Sequence, residues 1–129
     1  MGRIIVQVHI QNPAEEEKAI TVSAFVDTGA ASLALPLEWK DRLGEFPQEE
    51  QVDLWLADNS VIQGLVCAPA AIQIEGFRKI YNEVLFIDMA SQQSGDYEPL
   101  LGYIPLEQSQ AAVDMLGHRL IPVKYIDCK

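Results

Sequence analysis

Apolar and polar residues alternate along most of the chain, and an alternation of period two is typical of strands that bury one face. The opening segment has this pattern, with apolar residues at positions 4–6, 8 and 10. Residues 15–18, three glutamates and a lysine, are predicted to form a solvated hairpin tip. In all, the sequence predicts strands over residues 4–10, 19–26, 33–35, 52–56, 61–66, 70–74, 80–87 and 120–126.

Two segments have helical signals instead. Pro36 suits the start of a brief helix that extends to Leu43 and is closed by Gly44. A second helix is predicted from Pro105, because apolar residues 106, 113 and 116 fall on one helical face and Gly117 suits its end. The pattern therefore predicts an all-β protein with one or two short helices, and 129 residues fit a single domain over positions 1–129.

Charge and composition exclude several classes of partner. Nine Lys and Arg residues against 19 Asp and Glu residues give a net charge of −10 at pH 7, which repels phosphate backbones, so we expect no nucleic-acid binding. The sequence has no apolar stretch of the ~18–20 residues that a membrane span needs, and no signal-peptide pattern. Cys67 and Cys128 are far apart and are interpreted as reduced structural thiols. We therefore expect a cytoplasmic protein that does not enter a membrane.

The segment with the clearest chemistry follows the second predicted strand. Asp27, Thr28 and Gly29 come directly after the apolar residues Phe25 and Val26. Gly29 allows a sharp turn beneath the carboxylate, and the Thr28 hydroxyl is able to hydrogen-bond within such a turn. Asp-Thr-Gly also occurs where an aspartate only caps a turn, so this segment alone leaves both interpretations open.

A second segment favours the functional interpretation of Asp27. Leu100, Leu101 and Gly102 follow a strand pattern and precede the helix predicted at Pro105. Together with residues 26–30 (Val-Asp-Thr-Gly-Ala) and the hairpin predicted over residues 52–66, the chain resembles the retropepsin-like family of single-domain aspartic proteases, as a bacterial-type member. The resemblance covers nearly the whole chain in the same order. It implies an all-β retropepsin-like barrel with one short helix near the C-terminus.

The resemblance also implies a function, an aspartic endopeptidase without a cofactor. Asp27 would be the catalytic carboxylate, with Thr28 bonding across a subunit interface and Gly29 facing the substrate backbone. Peptide hydrolysis of this kind uses two carboxylates around one water, and the chain has a single Asp-Thr-Gly. The active form is therefore expected to be a homodimer with a pair of Asp27 side chains that share a proton, and with maximum activity at roughly pH 4–6.

Substrate binding is expected at Ala30 and at the tip of the hairpin, which by resemblance is a flap over an extended peptide. The predicted tip residues are Ala57, Asp58, Asn59 and Ser60, and an ordinary hairpin turn without a ligand is the alternative.

Other positions depart from the family pattern. Ala31, Ser32 and Tyr103 stand where retroviral members carry acidic residues and an arginine that brace the dimer. We then expect either a weaker dimer or one held mainly by strands at the two chain ends. The alternatives are a retropepsin-fold module that dimerises or binds peptides without cutting them, and an unrelated β-barrel with a chance Asp-Thr-Gly. His9 and His118 are isolated and interpreted as structural, and the sequence has no zinc-ligand spacing.

Overall fold

The structure is a computed structural model that describes residues 3–55, 58–89 and 98–123. These residues form the strands β1 (Ile5–Asn12), β2 (Glu15–Val26), β3 (Leu33–Pro36), β4 (Gln48–Trp55), β5 (Val61–Ile74), β6 (Lys79–Ile87), β7 (Leu100–Leu101), β8 (Ala111–Asp114) and β9 (Arg119–Pro122). A single 3₁₀ turn (Leu37–Trp39) leads into the helix α1 (Lys40–Leu43), and a second helix, α2 (Tyr103–Gln108), follows β7.

Seven strands form one sheet in the order β1-β2-β7-β3-β6-β5-β4. The sheet closes on itself because β1 pairs antiparallel with both β2 and β5, so that His9 lies opposite Thr21 on one side and Gln73 on the other. The short strand β7 lies between β2, to which it is parallel, and β3, to which it is antiparallel. Strands β8 and β9 form a separate two-stranded sheet. The predicted all-β architecture is confirmed.

The inward face of the closed sheet forms the core. Alternate residues of the strands point inward, and the side chains of Val8, Ile10, Leu33 and Leu35 have no exposed surface. Phe86 is also fully buried and packs against another phenylalanine with ring centroids 6.5 Å apart. Burial of these apolar faces stabilises the sheet that holds the short strand β7 in place.

The first hairpin differs from its prediction. Residues 15–18 belong to β2, and the turn is the two-residue segment Pro13 and Ala14. Asn12 causes the difference: its side-chain Oδ1 accepts the Ala14 N–H at 2.9 Å, and its Nδ2 donates to the carbonyls of Leu43 and Glu45, both at 2.7 Å. Residues 15–18 are therefore a partly exposed section of β2 rather than a hairpin tip.

The predicted helix from Pro36 is confirmed in outline. It consists of the 3₁₀ turn and α1, and Gly44 ends it with a positive φ of 75°. The two strands predicted over residues 61–66 and 70–74 are instead the single strand β5. A register shift between Cys67 and Ala70 spans Pro69, which has no N–H to donate to the ladder.

The short helix predicted from Pro105 is confirmed as α2, but its predicted end at Gly117 is wrong. Helix α2 ends at Gln108, Gln110 has a positive φ of 60°, and the chain then reverses through β8 and β9. Val113 lies in β8 opposite Leu120, and Leu116 is 95% exposed in the turn. The helical spacing of the apolar residues was also compatible with a strand, a turn and a strand. Of the last predicted strand, over residues 120–126, residues 120–122 lie in β9, residue 123 lies just beyond it, and residues 124–126 lie outside the described residues.

Candidate active site

The loop after β2 is the candidate active site. Asp27 is the first residue beyond β2, and its backbone N–H donates to the Leu101 carbonyl of β7 at 2.9 Å. The preceding strand is anchored on both sides, since the Val26 N–H donates to the Ile4 carbonyl at 2.9 Å. The backbone that leads to the carboxylate is therefore fixed by two neighbouring segments of sheet.

A tight turn holds the carboxylate itself. The Gly29 N–H donates to Asp27 Oδ1 at 3.0 Å, and the Ala30 N–H donates to the Asp27 carbonyl at 3.0 Å. Asp27 is half-buried, whereas Thr28 and Gly29 are exposed. The described part of the chain contributes no ion pair to Asp27. One carboxylate oxygen of Asp27 is thus oriented by the turn, and the residue is partly accessible to solvent.

Gly102 lies directly behind this turn, where only a glycine fits. A Cβ at this position would lie 2.5 Å from the Ala31 carbonyl carbon and 2.6 Å from the Ala30 carbonyl oxygen. Three backbone hydrogen bonds of 2.9–3.1 Å join the two segments, from residues 102, 103 and 104 to the carbonyls of Ser32, Ala30 and Ala31. The Leu-Leu-Gly triplet is therefore the support on which the Asp27 turn rests.

The predicted flap residues lie at the end of a different hairpin, formed by β4 and β5. Ala57 lies outside the described residues. Asp58 Oδ1 accepts the N–H and the hydroxyl of Ser60, and these hydrogen bonds lower the pKa of Asp58 from its ordinary value. Asn59 has a positive φ of 70°, and Trp55, near the end of β4, is 75% exposed. Among the described residues, no hydrogen bond or ion pair joins this hairpin end to the Asp27 turn.

Sequence reasoning missed an ion pair beside the Asp27 turn. The Arg3 guanidinium lies over the ring of Phe25, 4.7 Å from its centroid, and pairs with the Glu98 carboxylate. Phe25 is two residues before Asp27, and its N–H donates to the Pro99 carbonyl at 2.9 Å. Residues 3 and 98 are far apart in the chain and come together because β2 pairs with β7. No local sequence pattern therefore indicated this ion pair.

Two further kinds of feature, a metal-binding cluster and a membrane-spanning helix, are absent from the described residues. No group of three or more His, Cys, Asp or Glu side chains there is arranged to hold a metal ion. No helix in those segments is long and apolar enough to cross a membrane.

Comparisons with known proteins agree on the architecture. EIAV protease in complex with the inhibitor HBY-793 superposes with a TM-score of 0.58 at 18% identity, covering 83% of this chain and 88% of that one. The retroviral protease-like domain of Ddi1 from Leishmania major superposes with a TM-score of 0.53 at 15% identity, covering 95% of this chain and 90% of that one.

The chain has the retropepsin fold. No family model matches it, and no curated protein matches it in sequence. The predicted fold is confirmed, whereas membership of the family, and of a bacterial-type branch in particular, stays a prediction.

Proposed function

We propose that the protein is an aspartic endopeptidase, active as a homodimer in which the Asp27 side chains of two chains meet. The observation that carries this proposal is the Asp27 turn, placed at the end of β2 and supported from behind by Gly102. The retropepsin fold supports it, because both solved structures described above are named as a retroviral protease or a retroviral protease-like domain. Cytoplasmic location remains part of the same proposal.

The chemistry needs both Asp27 side chains. Two carboxylates brought together do not both ionise readily, so the pair holds one proton. The ionised member takes a proton from a water molecule, and the water oxygen attacks the peptide carbonyl. The protonated member donates its proton to the carbonyl oxygen, which gives a gem-diol. The carbon–nitrogen bond then breaks as the carboxyl that took up the proton of the water passes it to the amide nitrogen, and the other carboxylate takes a proton from a gem-diol hydroxyl. An amine and a carboxylic acid are released, and the pair again holds one proton. In each chain the Gly29 N–H, which donates to Oδ1, fixes the orientation of the carboxylate for these transfers.

The second candidate is a retropepsin-fold module that dimerises or binds peptides without cutting them. The observations in its favour are Ala31, Ser32 and Tyr103, which place no charged side chain at these three positions beside the Asp27 turn, and the exposed Thr28. A module of this kind has no need of the Asp27 carboxylate. Catalysis therefore separates the two candidates.

The experiment compares the wild-type protein with Asp27→Asn on a diverse peptide library, with cleavage detected by mass spectrometry. Asn keeps the shape of the side chain but cannot act as the base, so cleavage is expected to be lost while thermal unfolding is unchanged. Asp41→Asn, an exposed aspartate in α1, is the matched control and is expected to cleave normally. Equal cleavage by Asp27→Asn and the wild type, or none by the wild type, would overturn the protease proposal.

A further inference from the structure

An open polar groove of about 450 Å³, hereafter the β1–β5 groove, lies on the outer face of the closed sheet. The side chains that line it belong to Gln7, His9, Thr21, Gln73 and Glu75. His9 is the central residue, between Thr21 of β2 and Gln73 of β5, and its Nδ1 lies 3.0 Å from the Thr21 hydroxyl oxygen. The Glu75 N–H donates to the Gln7 carbonyl at 2.9 Å, which places these two residues side by side.

The β1–β5 groove is separate from the candidate active site. Thr21 lies six positions before Asp27, and a strand rises about 3.3 Å per residue, so the two residues are about 20 Å apart. Gln73 is half-buried, and the other four lining residues are exposed. A pocket for a small molecule normally encloses most of its ligand. This open groove is therefore better suited to a side chain that a larger molecule presents.

The hydrogen-bonding groups of the groove favour a ligand that donates. Gln73 Nε2 already donates to the Phe77 carbonyl at 3.0 Å, and Gln7 Nε2 donates to Ser23 Oγ at 2.7 Å. The amide oxygens of both glutamines remain as acceptors. The Glu75 carboxylate is a further acceptor, since the described residues give its side chain no hydrogen bond and no ion pair.

The charge of the groove favours a cation. Apart from the histidine, Glu75 is the one charged side chain among the described residues that line it, and the whole chain has a net charge of −10. The neighbouring cations Arg78 and Lys79, at the start of β6 and just before it, do not line the groove. A guanidinium has five N–H donors in one plane, so it matches amide and carboxylate oxygens better than an ammonium does.

We propose that the β1–β5 groove binds an arginine side chain of a polypeptide partner, with the guanidinium between the Glu75 carboxylate and the amide oxygens of Gln7 and Gln73. The openness of the groove supports a polypeptide as the source, because the surface of such a partner covers what the groove leaves exposed. The site does not depend on the proposed function, since it uses no residue of the Asp27 turn and needs no second copy of the chain.

The test is an NMR titration of isotope-labelled protein with the probe acetyl-Gly-Arg-Gly-amide, followed at the backbone amides of residues 7, 9, 73 and 75. An exposed charge-assisted contact is weak, so a dissociation constant of about 1–10 mM is expected. The same peptide with citrulline in place of arginine keeps the shape without the charge, and it is expected to bind about tenfold more weakly or worse. Methylguanidinium has the charge without the side-chain stem and the main chain, and it is expected to bind about threefold more weakly than the arginine peptide.

Two variants change the groove in opposite directions. Glu75→Gln removes its negative charge and is expected to raise the dissociation constant of the arginine peptide about tenfold. Gln7→Glu adds a second carboxylate beside Glu75 and is expected to lower that constant about threefold or more. Glu83→Gln, at an exposed position in β6 outside the groove, removes the same charge as Glu75→Gln and is expected to bind as the wild type does. Thermal unfolding of all three variants is expected to match the wild type, because the three positions are exposed.

Each outcome supports or overturns the proposal. Saturable shifts at the groove, weakened in Glu75→Gln and strengthened in Gln7→Glu, support it. No saturable shift at residues 7, 9, 73 and 75, equal binding of the citrulline peptide, or a Glu75→Gln protein that binds as tightly as Glu83→Gln overturns the site. Methylguanidinium that binds as tightly as the arginine peptide overturns the polypeptide partner. Asp27→Asn is expected to bind the arginine peptide as the wild type does, so failure of the protease proposal leaves these results unchanged.

Discussion

Substitution of Gly102 by alanine tests how the Asp27 turn is supported. Gly102 has φ −83° and ψ −178°, a conformation that alanine adopts freely, so any cost comes from contact alone. The added Cβ would lie 2.5–2.7 Å from backbone atoms of Ala30 and Ala31, about 1 Å inside ordinary van der Waals contact. Backbone atoms have no rotamer by which to move away, so the turn and β7 must separate.

The magnitude follows from two contributions. Overpacking of this kind costs about 1–3 kcal/mol, and weakening one or two of the three backbone hydrogen bonds adds about 1 kcal/mol each. We expect Gly102→Ala to lower the free energy of unfolding by about 2–5 kcal/mol in urea titrations. A displacement of about 1 Å at a catalytic group costs on the order of 10²-fold in rate, so cleavage per folded dimer is expected to fall by that factor.

Gly76→Ala is the control for this substitution. Gly76 has φ +89° and no atom within 4 Å of an added Cβ, so alanine there is strained by conformation only, by about 1–2 kcal/mol. Cleavage by Gly76→Ala is expected to be unchanged. A Gly102→Ala protein with wild-type stability and cleavage would refute the close approach of β7 to the Asp27 turn.

Three further predictions concern the scaffold. Asn12→Ala leaves two carbonyls and one N–H without their partner, and it is expected to cost about 2–4 kcal/mol in urea unfolding, against under about 1 kcal/mol for Gln11→Ala; equal costs would contradict this. The Phe46 N–H hydrogen bond and then Lys40, at 2.9 Å, lower the pKa of Glu49. The wild type is therefore expected to exceed Glu49→Gln in free energy of unfolding by about 1 kcal/mol or less at pH 7, and this difference is expected to vanish as the pH falls below about 4.5. A difference between the two proteins that grows in acid would contradict this. Burial, with a smaller contribution from Glu49, raises the pKa of the Cys67 thiol to about 11, so in a Cys128→Ser background Cys67 should react with Ellman's reagent at pH 8 only after unfolding; rapid reaction of the folded protein would contradict this.

The parts of the fold that depend on local pattern were predictable from the sequence. Alternating strands such as residues 80–87 were predicted within one residue of the observed β6, and the Asp27 turn and the Leu-Leu-Gly triplet were both located correctly. The contact between the Asp27 turn and the Leu-Leu-Gly triplet could be inferred only from the family resemblance, because the parallel pairing of β2 with β7 joins residues far apart in the chain.

The failures have two physical causes, a tertiary contact at the first hairpin and a local turn in the segment after Pro105. Asn12 fixes the first turn at Pro13 and Ala14, immediately before the acidic run, because its side chain accepts the Ala14 N–H and donates to the Leu43 and Glu45 carbonyls at the end of α1. The apolar residues after Pro105 fit a helix, but the turn between Asp114 and Gly117, closed by a hydrogen bond from the Gly117 N–H to Asp114 Oδ1, makes a hairpin instead. That turn carries the Asp and Gly residues that favour turns, and this signal could have been read from the sequence.

Mixing active and inactive chains tests the central claim most directly. Wild-type protein is held above its dimer dissociation constant, an increasing excess of Asp27→Asn chain is added, and cleavage per wild-type chain is measured after exchange of subunits. If each site needs one Asp27 from each chain, random pairing makes this activity fall in proportion to the wild-type fraction, by about tenfold at a ninefold excess of the variant. Cleavage per wild-type chain that stays constant over the whole range would contradict a catalytic site built from paired Asp27 carboxylates.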